Sequence, residues 1–352
     1  MTQPIRRVLI RKLAHGYLPH AQIPRIWGRP RNGKGLLRGL ALAAFAVLGT
    51  MACVASVGAA TKIDVCGQLN TPGATYILAN DLSSCGSCLV VNGDRITIDL
   101  AGYTISGILG ACDGSAGITD GGTARQGTTV KNGTISTFTI GIALGSSTRN
   151  QILNLTSSAN SASGIIVGAR SLVKGCAVVE NGGYGIIVGE FGQVQDCTIT
   201  GHDGGFGISG AGHLLVKDND VSDNFVGIVI GDFGTVSFNT ASNNAVSGLF
   251  AGNHSLVTGN ETNGNGNAGI STGGLSSVSY NTSNGNGGGG IDVGVDGFFD
   301  GTQSLVTGNI TNGNVDVGVT AMCPSTVTNN RSSGNGSNYD ITGPGCRTNN
   351  NK

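Results

Sequence analysis

GIIVGARSLVKGC (164–176), GIIVGEFGQVQDC (185–197), GISGAGHLLVKDN (207–219), GIVIGDFGTVSFN (227–239), GLFAGNHSLVTGN (248–260) and GISTGGLSSVSYN (269–281) are six versions of one phrase. Their opening glycines recur every 20 to 22 residues. A repeat of that length marks a solenoid, in which each unit buries its apolar face only against its neighbours. Nine residues after every opening glycine stands a valine: Val173, Val194, Val216, Val236, Val257 and Val278. Ile and Val alternate just after the glycine, as in Ile165/Val167, Ile186/Val188 and Ile228/Ile230, which is the two-residue period of a strand with one face inward. Glycine and asparagine interrupt the chain too often for a helix. Each unit is therefore read as short strands joined by tight turns.

Stacking such units in parallel register sets equivalent residues roughly 4.8 Å apart, so columns in the sequence become ladders in space. Twelve residues after the glycine the column reads Cys176, Cys197, Asn219, Asn239, Asn260, Asn281. Asparagine tolerates the left-handed conformation of a tight turn, and stacked amides bond one another along the axis. On these residues the chain resembles the right-handed parallel β-helix proteins of the pectate-lyase-like superfamily, over roughly residues 62–346. The resemblance implies an all-β, single-stranded right-handed parallel β-helix of ten to twelve coils with a period of 20–24 residues. The phrase ITIDLAGYTISG (96–107) resembles the opening coil of secreted and periplasmic members. The expected division is residues 61–116 as cap and first coils, 117–346 as the repeat domain and 347–352 as a tail.

Charge is unevenly spread. The 352 residues hold 20 basic and 20 acidic side chains, but residues 1–60 carry nine Lys or Arg and no acid, ending in GLALAAFAVLGTMACVASVGAA. That stretch reads as a signal peptide with a long basic lead, cleaved near Ala60, which predicts a secreted, periplasmic or cell-surface protein. The remainder has 11 basic and 20 acidic residues, a formal charge of −9, and no Lys or Arg lies between Lys217 and Arg331. Such a surface excludes nucleic acid and, once the signal is gone, an anionic membrane as partners. It also repels polyuronates unless a cation intervenes.

Eight cysteines remain after the signal, an even number that suits an oxidising compartment. Cys66, Cys85, Cys88 and Cys112 fall in the first turns and Cys323 and Cys346 in the last, where disulfides would close the open ends of a solenoid. Cys176 and Cys197 occupy one column on adjacent coils, a poor geometry for a bridge, and are read as stacked buried thiols.

The interior of such a coil is filled, so function must lie on an outer face. Five and six residues after the glycine stand Ala169-Arg170, Glu190-Phe191, Gly212-His213, Asp232-Phe233, Asn253-His254 and Gly274-Leu275. One corner thus gathers Arg170, Phe191, Phe233 and His254 as candidate glycan contacts, the phenylalanines as stacking faces. Glu190, His213 and Asp232 are the candidate acid–base groups. Glu190 and Asp232 are two coils apart, about 9.6 Å along the backbone, which suits an inverting rather than a retaining pair of carboxyls. Exposed turn corners also attract polar residues for solvation alone. The unit opening at Gly290 is 28 residues long, and its extra length, GVDGFFDGTQSL, enters this same corner. There Phe298 and Phe299 are candidate substrate contacts, and Asp292, Asp296 and Asp300 are candidate ligands for Ca²⁺, although their spacing matches no standard calcium loop.

The motifs of pectin hydrolases, lyases and alginate epimerases are missing: no Asp-Asp pair, Asn-Thr-Asp, Arg-x-Pro-x-x-Arg or Asp-Pro-His-Glu occurs. His202 follows the turn pattern of Asn181, Asn224 and Asn244 rather than a catalytic one. The expected function is binding of a polysaccharide or cell-surface glycan on one outer edge. The alternatives are a polysaccharide lyase or glycoside hydrolase on that edge, or, more weakly, a periplasmic accessory factor in metalloenzyme maturation.

Overall fold

The computed structural model describes residues 59–108, 115–294 and 303–352. The signal-peptide expectation for residues 1–60 falls almost wholly outside them, as do Cys112, Asp296, Phe298, Phe299 and Asp300. The described chain is a parallel β-solenoid without helices. One coil shows its plan: a first-face strand Ile186–Val188, a second-face strand Gln193–Gln195 and a third-face strand Thr198–Thr200. The first face is a sheet of thirteen strands, so the solenoid has thirteen coils, one more than the upper sequence expectation. Arg347–Asn349 pairs with Thr326–Thr328, so residues 347–352 belong to the last coil and are not a separate tail.

The sequence columns are the ladders. Val173, Val194, Val216, Val236, Val257 and Val278 pair in unbroken register, and all are fully buried. Ile165, Ile186, Ile208 and Ile228 do the same on the first face. On the third face the inward column runs Val178, Ile199, Val221, then Ala241, Thr262, Ser283, Thr311 and Ser332. The buried hydroxyls of this column are bonded to one another, as burial demands: Thr262 Oγ1 lies 3.0 Å from Ser283 Oγ, and Thr311 Oγ1 lies 2.8 Å from Ser332 Oγ. The opening glycines are required by close approach. A Cβ on Gly164 would meet the Gly185 carbonyl oxygen at 2.8 Å and Asn181 Nδ2 at 2.9 Å.

Each coil turns at three corners, and between residues 164 and 313 each corner pivots on a residue with positive φ followed by an inward-pointing residue. In the coil that opens at Gly164 these pairs are Arg170-Ser171, Gly175-Cys176 and Glu180-Asn181. At the second corner the inward residues form an amide ladder: Nδ2 of Asn219, Asn239, Asn260, Asn281 and Asn309 each donates to Oδ1 of the next asparagine, at 2.9 to 3.0 Å. Cys197 and Cys176 continue that column as free, buried thiols, with the Cys176 amide donating to Cys197 Sγ at 3.4 Å. The hydrogen bond with Cys176 and burial together push the Cys197 thiol far up. The third corner carries a second ladder through Asn160, Asn181, Asn224, Asn244, Asn265, Asn286 and Asn314. His202 fills the rung between Asn181 and Asn224. Its Nδ1 accepts from the Asn181 amide at 3.1 Å and its own amide donates to Asn224 Oδ1 at 3.2 Å.

The ends are tied covalently. Cys66–Cys88 and Cys323–Cys346 are disulfides that each join neighbouring coils. Cys85 is also disulfide-bonded.

Candidate functional site

The first corner lies between the first and second faces. Arg170, Phe191, His213, Phe233 and His254 occupy its pivot position on five successive coils, with φ from 57° to 60°. Left-handed backbone is costly for bulky side chains, and it is held here by coil-to-coil hydrogen bonds. The amides of Arg170, Phe191, His213, Phe233 and His254 donate to the carbonyls of Glu190, Gly212, Asp232, Asn253 and Gly274. Because the backbone repeats, the side chains leave in the same direction and stack. The Arg170 guanidinium carbon is 5.3 Å from the Phe191 ring centre. Phe191 to His213, His213 to Phe233 and Phe233 to His254 then follow at 4.5, 5.0 and 4.7 Å, with planes 14° to 25° apart.

This stack alters what the aromatic residues can do. The faces of Phe191, His213 and Phe233 are covered by one another, so the phenylalanines do not offer stacking faces to a sugar; the five groups present their edges. Toward solvent this stack therefore shows imidazole edges, the Arg170 guanidinium and apolar ring edges. The adjoining column supplies oxygens. Asp232 Oδ1 accepts the Asn253 amide and Asn253 Oδ1 accepts the Gly274 amide, each at 2.8 Å. Glu190, His213 and Asp232 all lie on the exposed surface of this corner, on three successive coils.

Inside the same corner the chain changes character. Ser255, Ser276, Ser304 and Ser325 form a ladder in which the amides of the first three each donate to the Oγ of the next serine at 3.2 Å. Behind Phe191, His213 and Phe233, however, the inward residues are Gly192, Leu214 and Gly234, which have no side-chain hydrogen bond to give. The outer stack therefore covers the stretch where the inner ladder is missing.

Sequence reasoning had no view of two further features. Arg95 and Arg149 stand in the same pivot column as Arg170, separated only by Gly127. Arg149 bonds Gln126 at 2.8 Å, and the three arginines make the N-terminal end of this corner basic. The signal was present in the register of the early, irregular units, whose spacing hid it. Three lysines, in contrast, are paired with carboxylates on the second face, as Lys131–Asp99, Lys174–Asp196 and Lys217–Asp218, at 3.1 to 3.3 Å.

Of the calcium triad, only Asp292 lies among the described residues, on the outward side of the strand Ile291–Val293. Among the described residues no three His, Cys, Asp or Glu side chains are grouped to hold a metal.

No curated protein matches the chain in sequence. Among solved structures it is similar to the A-modules of two Azotobacter vinelandii mannuronan C-5 epimerases. Against AlgE4 the TM-score is 0.63 at 15% identity, covering 80% of this chain and 90% of that one. Against AlgE6 it is 0.61 at 15% identity, covering 81% and 91%. A point variant of the periplasmic alginate epimerase AlgG gives 0.53 at 15% identity, covering 80% and 78%. At that identity the likeness is one of fold. A family profile for the right-handed β-helix region matches residues 68–221 and 186–335, which together span most of the chain. The chain belongs to the right-handed β-helix family and is a pectate-lyase-like parallel β-helix protein.

Proposed function

We propose that this is an exported polysaccharide-binding protein that takes an extended glycan along its first corner. The observation that carries the reading is the unbroken stack from Arg170 to His254 on one edge. Rings packed against rings hold the two imidazoles at a fixed spacing, with Glu190, Asp232 and Asn253 beside them, and an array fixed before binding loses little entropy on binding. Imidazole nitrogens, carboxylates and an amide suit sugar hydroxyls. The basic end, Arg95, Arg149 and Arg170, suits acidic or sulfated substituents. The disulfides at both ends fit an oxidising compartment outside the cytoplasm. Proteins of like fold that act on mannuronan and alginate place a polysaccharide within the range of this architecture.

A panel of neutral and acidic polysaccharides, titrated with and without Ca²⁺ and scored for new reducing ends and unsaturated products, tests the proposal. Binding without products is expected, and it should weaken about tenfold in the His213→Ala/His254→Ala variant, as two imidazole hydrogen bonds are lost. Failure to bind any member of the panel, or products that require Glu190 and Asp232, would overturn the binding reading, the latter in favour of an enzyme.

A further inference from the structure

The second corner holds aromatic residues that the first corner's glycan site does not use. Its pivot column reads Asp196, Asp218, Phe238, Gly259, Tyr280, Gly308, Asn329, with positive φ throughout. Here rings alternate with glycines. A Cβ on Gly259 would lie 2.7 Å from two carbons of the Phe238 ring, and one on Gly308 would lie 2.7 and 2.8 Å from two carbons of Tyr280. Each ring therefore leans over the glycine of the following coil and fills the space a side chain would need. No second ring can stack on it from that coil. Phe238 remains 59% exposed and Tyr280 72% exposed, the latter the most exposed large hydrophobic residue of the described chain.

Two large apolar rings held in solvent on one edge mark an interaction surface. The two rings are two coils apart, roughly 9.6 Å along the axis, so one straight ligand parallel to the axis meets both. Charge narrows its chemistry. No Lys or Arg occurs between residues 217 and 331, and acids flank the rings: Asp218 holds the pivot position one coil before Phe238, and Glu261 pairs with Thr240 and Thr282. A polyanion, whether nucleic acid or polyuronate, is repelled from such an edge. Around the rings the half-buried Thr240, Thr258 and Thr282 offer uncharged hydroxyls, while Ser237 and Ser279 lie buried beneath this edge. Two flat apolar platforms on one edge, set among hydroxyls and without cations, fit the apolar faces and hydroxyl rims of sugar rings.

We propose that the second corner is a separate binding edge for an uncharged, extended polysaccharide, with Phe238 and Tyr280 as platforms under two sugars of one chain. The inference does not depend on the first-corner reading, because it uses different residues on a different edge.

Affinity electrophoresis and calorimetric titration with soluble neutral glucans, mannans and xylans test it, using the full exported chain. Wild type is expected to bind at least one of them, and Phe238→Ala/Tyr280→Ala to bind it about tenfold more weakly. The His213→Ala/His254→Ala variant should bind it as wild type does. Both rings are exposed, so their removal leaves the fold intact, which thermal unfolding checks. The proposal is overturned if wild type binds no neutral polysaccharide, or if binding survives loss of both rings. It is also overturned if binding falls only in the first-corner variant, or if sedimentation shows a dimer that the Phe238→Ala/Tyr280→Ala change dissolves.

Discussion

The first and second corners solve the same problem from opposite sides. Both must hold one coil to the next through a turn with positive φ. At the second corner the bond is inside, in the amide ladder from Asn219 to Asn330, and the outer rings Phe238 and Tyr280 are free of each other. At the first corner, behind Phe191, His213 and Phe233, the inside has only Gly192, Leu214 and Gly234, and the outer rings are stacked. One axial ladder per corner suffices. Where asparagines supply it within, the outer position is available for a ligand face; where they do not, the aromatic residues supply it without and keep only their edges for binding.

The contrast can be broken by mutation, beginning with the largest expected effect. Asn260→Ala removes the bonds that the Asn260 side chain accepts from Asn239 and donates to Asn281, and strands buried amide groups. It should cost about 3 kcal/mol in chemical unfolding, whereas Ser276→Ala at the first corner, which removes the hydroxyl that accepts the Ser255 amide, should cost about 1 kcal/mol.

The third corner sharpens the rule, since His202 breaks its ladder. Burial holds the imidazole pKa down to about 4 from 6.5, and its Nε2 has no partner. Between those values the unfolded chain binds a proton that the folded chain refuses, so stability is full above pH 6.5 and falls as the pH drops toward 4. The loss should reach roughly 3 kcal/mol. His202→Asn, which restores the amide series of Asn181 and Asn224, should remove that acid sensitivity; equal pH profiles for the two proteins would refute the assignment.

Smaller effects come from the rings. Phe191→Ala/Phe233→Ala should cost about 2 kcal/mol, with a coupling to His213 of about 0.5–1.5 kcal/mol in a double-mutant cycle. Phe238→Ala/Tyr280→Ala should change stability by less than about 0.5 kcal/mol.

Much of the architecture was legible because a solenoid repeats itself. The glycine, valine and asparagine columns of residues 164–281 translate directly into register, and the pairs five and six residues after the glycine marked the corner that proved to be stacked. Direction was not legible. Whether Phe233 meets a sugar or another ring depends on its left-handed backbone and on His213 and His254 in the coils on either side. Phe238 and Tyr280 were overlooked because they lie just before the ladder asparagines, and the glycines between them look like ordinary turn residues. The second amide ladder was legible as a turn pattern, seventeen residues after the glycine at Asn181, Asn224 and Asn244 and again at Asn265, with His202 standing in its column.

Thermal unfolding of Phe191→Ala/Phe233→Ala beside Phe238→Ala/Tyr280→Ala, each with and without a saturating neutral polysaccharide, tests this division of labour most directly. The first variant should melt well below wild type yet still be raised by the glycan, and the second should melt like wild type and gain nothing from it. Equal melting temperatures for the two variants, or a glycan shift that disappears with the first pair of rings instead of the second, would contradict it.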